Sequence, residues 1–123
     1  MKELKIVIAD DAETFSSLLK RTLSVITGFK VVGIAGDGVE AIQLVREYKP
    51  DVLILDVSMP FKDGIQTLKE IRAQDSSTVV VMFTGDLTPA IRKTCMEAGA
   101  NYFLDKSQIM DLIEVCRIVL LAS

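Results

Sequence analysis

The chain has 123 residues, half of them hydrophobic and a quarter charged, the balance of one soluble domain rather than a disordered segment or two domains. Its formal charge of −3 argues against a nucleic-acid surface, and no apolar run reaches the roughly 18 residues that span a membrane. With no histidine in the chain, Ser-His-Asp triads, histidine metal sites and imidazole acid/base catalysis are excluded, which leaves carboxylates, lysine, hydroxyls or a metal held by oxygen.

Leu4-Lys5-Ile6-Val7-Ile8-Ala9 is a dense apolar run that stops at Asp10-Asp11. It is too short for a signal peptide and suits a strand buried on both faces. Phe15, Leu18, Leu19, Thr22, Leu23 and Ile26 then recur at helical spacing and predict an amphipathic helix. A second strand is expected over Lys30–Ala35, and Asp37-Gly38 precedes the second helix. Val52–Leu55 and Thr78–Phe83 read as the third and fourth strands. Leu87, Ile91, Cys95 and Ala98 carry the period of a fourth helix, with Thr88-Pro89 as N-cap and first turn and Gly99 as the stop. Asn101–Leu104 is a weaker fifth strand, and the last helix runs to about Leu121. At 100° per residue, that helix places Ile109, Leu112, Ile113, Cys116, Val119 and Leu120 on one stripe, with Met110, Ile118 and Leu121 opposite.

Strand and helix alternate five times, which predicts an α/β domain over 1–123: a parallel sheet covered by helices on both faces. Cys95 and Cys116 have neither metal-ligand spacing nor a disulfide framework, so both read as core residues in a reduced, cytoplasmic compartment.

In open α/β sheets the functional crevice lies beyond the carboxyl ends of the strands. Those ends carry Asp10-Asp11, Asp56, Thr84-Gly85 and Asp105-Lys106. A single Asp after a strand is ordinarily a helix cap, and Asp10 or Asp11 could serve so. Asp56 could not, because Val57-Ser58-Met59-Pro60 follows it and no helix begins at once. Clustered carboxylates repel unless a cation or proton intervenes. One lysine at about 4 Å attracts a carboxylate by roughly 4 kcal/mol before desolvation, too little to neutralise three acids. An oxygen-only ligand set selects a hard ion such as Mg²⁺.

These residues also carry a resemblance. Ile-Val-Ile-Ala-Asp10-Asp11, Leu-Ile-Leu-Asp56-Val-Ser-Met59-Pro60-Phe-Lys-Asp63-Gly64, Met-Phe-Thr84-Gly85 and Gly99-Ala100-Asn-Tyr-Phe103-Leu-Asp-Lys106 stand in the order and spacing of four motifs. The chain resembles the receiver domain of two-component response regulators from about Leu4 to the final helix. The resemblance implies a doubly wound, flavodoxin-like (βα)5 sandwich with strand order 2-1-3-4-5. It implies that Asp56 accepts a phosphoryl group, and that Asp10, Asp11, Asp56 and the backbone carbonyl of Ser58 hold Mg²⁺. Thr84 and Lys106 would bind phosphoryl oxygens, and Phe103 stands where the family has its switch aromatic, with Tyr102 beside it. Since the chain has no histidine, the phosphohistidine must lie on a sensor kinase or histidine phosphotransfer protein.

The chain departs from the family at Ser107, where proline is usual. A trans Lys106–Ser107 bond is therefore expected, with Ser107 capping the last helix. Ser58 and Asp86 hold positions that in the family tune the lifetime of the phosphate. A flavodoxin-type carrier shares the fold, but Asp10-Asp11 would repel its phosphate; the acid-any-acid pattern of dehalogenase-like phosphatases is absent. The remaining rival is a pseudo-receiver scaffold, whose mark would be a lost Asp56 or Lys106. The expected molecule is a phosphoacceptor rather than an enzyme, stand-alone or the receiver of a longer DNA-binding regulator, without direct nucleic-acid or membrane contact. Its output would run through the fourth helix, fifth strand and fifth helix, by a symmetric dimer or a partner contact.

Overall fold

The computed structural model describes residues 2–123, so of the expected unit only Met1 lies outside. Strands β1 (Leu4–Ala9), β2 (Phe29–Ala35), β3 (Val52–Leu55), β4 (Val79–Thr84) and β5 (Tyr102–Asp105) alternate with five helices. These are α1 (Glu13–Ser24), α2 (Gly38–Tyr48), α3 (Gly64–Arg72), α4 (Pro89–Glu97) and α5 (Ile109–Ala122). All four ladders are parallel and the order is β2-β1-β3-β4-β5, as the resemblance implies. The four residues of β3 are all buried, which is why the central strands are unbroken apolar runs instead of alternating ones.

Successive residues point to opposite faces, so each strand feeds two cores. One core, under α2, α3 and α4, takes Val7, Leu53, Leu55, Val80, Met82 and Phe103. The other, under α1 and α5, takes Ile6, Ile8, Ile54, Val81, Phe83 and Leu112. Cys95 and Cys116 divide between the two, fully buried. Burial pushes the Cys116 thiol up to about 12, which leaves it unreactive. The inner stripe expected of α5 packs into the second core together with Val115, while Met110, Ile118 and Leu121 stand 76%, 50% and 85% exposed. No helix of the described residues is long and apolar enough to cross a membrane.

Several boundaries differ from the sequence reading, each for a local reason. Thr78 belongs to the preceding turn, because its hydroxyl donates to Asp75 and to the Pro50 carbonyl. Asn101 flanks β5: its Oδ1 accepts from Val80 N and from Arg72, each at 2.8 Å. Leu18 is exposed, Ile26 lies beyond the end of α1, and Leu87 is an exposed loop residue ahead of Pro89. Ser107 does not cap α5. The turn is closed by Gln108, whose N–H donates to the Asp105 carbonyl and whose Oε1 accepts from Asp105 N. No peptide bond among the described residues is cis, so Lys106–Ser107 is trans as expected.

Candidate functional site

The strand order reverses between β1 and β3, and Ala9 faces Leu55 across that junction. Asp10 and Asp56 are the next residue on each strand, so the topology places two carboxylates side by side at the switch point. Backbone bonds fix both: Asp10 N donates to Ala35 O and Asp56 N to Ala9 O, each at 2.9 Å. Asp10 is 4% exposed and Asp56 6%, while Asp11 reaches into solvent. Asp10, Asp11 and Asp56 each offer a carboxylate oxygen, and the three oxygens lie within 4.8 Å of one another. Asp10 does not cap α1. Its Oδ1 accepts from Ala12 N at 2.8 Å and closes the turn ahead of the helix, whose N-cap is Ala12.

Lys106 arrives from the end of β5, where its N–H extends the ladder to Thr84 O. Its Nζ lies 2.8 Å from Asp10 Oδ2 and 3.1 Å from Asp56 Oδ2. Burial alone would lower the pKa of Lys106, but the bonds to Asp10 and Asp56 outweigh it and hold the ammonium above its ordinary value. The ammonium also sits 4.7 Å from the centre of the Phe15 ring, which in turn packs on Phe83. Asp56 is raised from the ordinary carboxylate value. Burial is the main cause and the Asp10 charge adds to it, while Lys106 and the Val57 N–H offset part of the rise. A buried carboxylate with one lysine and two acid neighbours is short of positive charge. Its donor set is all oxygen, which suits a hard divalent ion.

Thr84 ends β4 and is 2% exposed. Its Oγ1 accepts from Asp86 N at 3.1 Å. The Asp86 carboxylate is itself taken by Thr88, through hydroxyl and N–H, and those bonds hold it below the usual carboxylate range. Asp86 is thus committed to the β4–α4 loop. Ser58 is exposed on the β3–α3 loop. Phe103 is turned into the core, 9% exposed, with the Arg92 guanidinium 5.7 Å from its ring centre.

Two contributors escaped the sequence reading. Phe15 was legible only as a helix-face apolar residue, yet it lies under Lys106. Gly64 stands in the second motif, but its closeness to the acceptor strand was not legible: a Cβ there would lie 2.0 Å from Asp56 O. Only glycine lets α3 begin directly against the Asp56 backbone, where Gly64 N donates to Val57 O at 2.7 Å.

The sequence model of the response regulator receiver domain matches residues 6–117. The chain belongs to this family. The receiver is 31% identical over 113 residues to the chemotaxis protein CheY of Halobacterium salinarum, covering 89% of this chain and 92% of that protein. Other curated relatives are longer, and the receiver spans between 27% and 49% of their length. Among solved structures, the response regulator domain of Thermotoga maritima CheB superposes with a TM-score of 0.89 at 28% identity, covering 97% of each chain. A LuxR-family DNA-binding response regulator from Staphylococcus aureus gives 0.88 at 25% identity, covering 94% of this chain and 98% of that one. The two-component assignment and the α/β fold of the sequence reading both stand.

Proposed function

We propose that Asp56 takes a phosphoryl group from a phosphohistidine on a partner protein, a sensor histidine kinase or histidine phosphotransfer protein. A carboxylate oxygen of Asp56 attacks phosphorus, the P–N bond breaks, and the imidazole nitrogen leaves with the bonding pair. Asp10, Asp11 and Asp56, with the Ser58 carbonyl, would hold Mg²⁺. Bound there, Mg²⁺ supplies positive charge to the phosphoryl oxygens. Lys106 offers the second positive charge, already aimed at Asp56. Thr84 accepts the Asp86 N–H on a lone pair of its Oγ1 and keeps its hydroxyl hydrogen to donate to a phosphoryl oxygen. On this reading residues 1–123 form a single receiver unit, cytoplasmic, that assists its own phosphorylation without turning over a substrate. Its signal leaves through α4, β5 and α5.

The observation that carries the proposal is the setting of Asp56: buried at the switch point, 3.1 Å from a lysine and grouped with two further carboxylates. A pseudo-receiver scaffold would have no use for that grouping. Incubation with acetyl phosphate and Mg²⁺ should add one hydroxylamine-labile phosphoryl group to the wild type. Asp56→Asn, or wild type in EDTA, should take none. Equal modification of wild type and Asp56→Asn would remove Asp56 from the role. The longer regulators among the relatives, a probable transcriptional regulatory protein NarL and a probable C4-dicarboxylate response regulator DctR, of which this chain spans 49% and 46%, support a second reading: the receiver unit of a longer regulator with a DNA-binding output.

A further inference from the structure

Helices α2 and α3 do not pack evenly along their length. At their N-terminal ends they touch: a Cβ on Gly38 would lie 2.2 Å from both Lys62 O and Thr67 Oγ1, so glycine sets that close approach. Toward their C-terminal ends the helices part. There a cavity of about 350 Å³ opens, lined by the chain just before β3 and just before β4, at the opposite end of the sheet from Asp56. This volume falls at the lower end of the roughly 300–1,000 Å³ typical of small-molecule sites.

The lining has an apolar floor and a charged rim. Ile42 and Val45 of α2 and Ile71 of α3 form the floor and are 4–6% exposed. The acids at the rim are already occupied. Glu70 is ion-paired with Lys62. Asp75 Oδ1 accepts from the N–H and the hydroxyl of Ser77, each at 2.7 Å, and its Oδ2 accepts from Thr78. The cations are not matched in the same way. Arg46 reaches only Glu70, at 4.0 Å, with its side chain 55% exposed, and Lys49 makes no ion pair among the described residues.

We propose that this cavity binds a small organic anion with an apolar body of one or two rings. The body lies against Ile42, Val45 and Ile71, and the carboxylate or sulfonate meets Arg46 and Lys49. A metal cation is disfavoured because the acids are spent on internal partners. A bare phosphate would leave the apolar floor uncovered.

The test uses the full chain labelled at isoleucine and valine methyls and titrated with 2-naphthoate, with neutral 2-naphthamide as its uncharged counterpart. The expected result is saturable shifts at Ile42, Val45 and Ile71, with affinity at least fivefold weaker for the amide. The double variant Arg46→Ala/Lys49→Ala should lose at least fivefold in 2-naphthoate affinity, and Asp56→Asn should lose none. Ile71→Trp should fill the cavity and abolish the shifts. Gln74→Trp, at an exposed rim position, does the same without disturbing the core. The proposal is overturned if those methyls stay unmoved up to the probe's solubility, if the amide binds as tightly as the acid, or if the double variant binds 2-naphthoate unchanged.

Discussion

Asp56 is held in the folded chain with its pKa above the unfolded value, and this has a definite sign for stability. A carboxylate whose folded pKa is raised binds more protons when folded than when unfolded, so stability falls as pH climbs through the window that opens near pH 4. Above that window the ionised group is a standing penalty, caused by burial and by Asp10, that Lys106 only partly relieves. Asp56→Asn should therefore melt at a higher temperature than wild type at pH 7 in EDTA. The gap should narrow as pH falls toward the unfolded carboxylate value near 4, because protonation of Asp56 removes the penalty. A variant that melts lower than wild type at pH 7 would mean that the Lys106 bond outweighs the penalty. The raised pKa of Lys106 has the same sign at a higher pH: its contribution is complete below the unfolded lysine pKa and is lost as pH rises through the higher folded value.

At the scale of elements, the start of α3 separates two neighbouring residues with different duties. Asp63 forms a reciprocal capping box with Gln66: its Oδ1 accepts from Gln66 N at 2.9 Å, and Gln66 Oε1 accepts from Asp63 N at 3.1 Å. Asp63→Ala should cost about 1 kcal/mol in urea unfolding and leave phosphorylation of Asp56 near the wild-type rate. Gly64→Ala forces a methyl group into the Asp56 carbonyl and should cost about 1–3 kcal/mol. It should also slow labelling by acetyl phosphate, because the backbone that must yield is that of Asp56, the proposed acceptor. Equal labelling rates in Gly64→Ala and wild type would show that α3 can withdraw without moving Asp56.

The same scale shows what a sequence can disclose. β1 and β3 were legible to the residue, since apolar runs bounded by Asp10 and by Pro50-Asp51 and Asp56 leave no other register. β4 and β5 shifted by one position because side-chain bonds of Thr78 and Asn101 decide where their ladders begin, and those partners are distant in sequence. The carboxylates and Lys106 were legible because strand ends converge in any such sheet. The contribution of Phe15 was not, since nothing local distinguishes a ring packed under an ammonium from one packed under another apolar side chain. Ser107 misled for a similar reason: a hydroxyl suited to capping lost the position to Gln108, which reaches back to Asp105 on both sides of its backbone.

For the whole molecule, the question is how occupancy of one crevice becomes a message on another surface. The exposed residues Met110, Ile118 and Leu121 share a side of α5 that the core does not use. Apolar residues set among Asp111, Glu114 and Arg117 suit a moderate protein contact. Sedimentation of wild type with Mg²⁺ and beryllium fluoride should give a dimer through this face, and Ile118→Glu should weaken that dimer at least tenfold. An unchanged mass with the phosphoryl mimic would leave the face to a different partner. Undiminished dimerisation of Ile118→Glu would place the contact elsewhere.

The backbone bonds that anchor the acids lie at the carboxyl margins of two ladders: Asp10 N to Ala35 O beyond β1–β2, and Asp56 N to Ala9 O beyond β1–β3. Mutual repulsion of the carboxylates, offset in part by Lys106, therefore bears on the last backbone bonds at the carboxyl end of the sheet. Amide hydrogen exchange at Asp10 and Asp56 becomes a gauge of the charge in the crevice, readable without any phosphate transfer. Exchange at these two amides should slow when Asp11→Asn removes one charge, while amides in the middle of β1 and β3, such as Ile8 and Ile54, keep their wild-type protection. The sheet margin and the acid cluster are then one mechanical object, in which electrostatic load is registered as fraying.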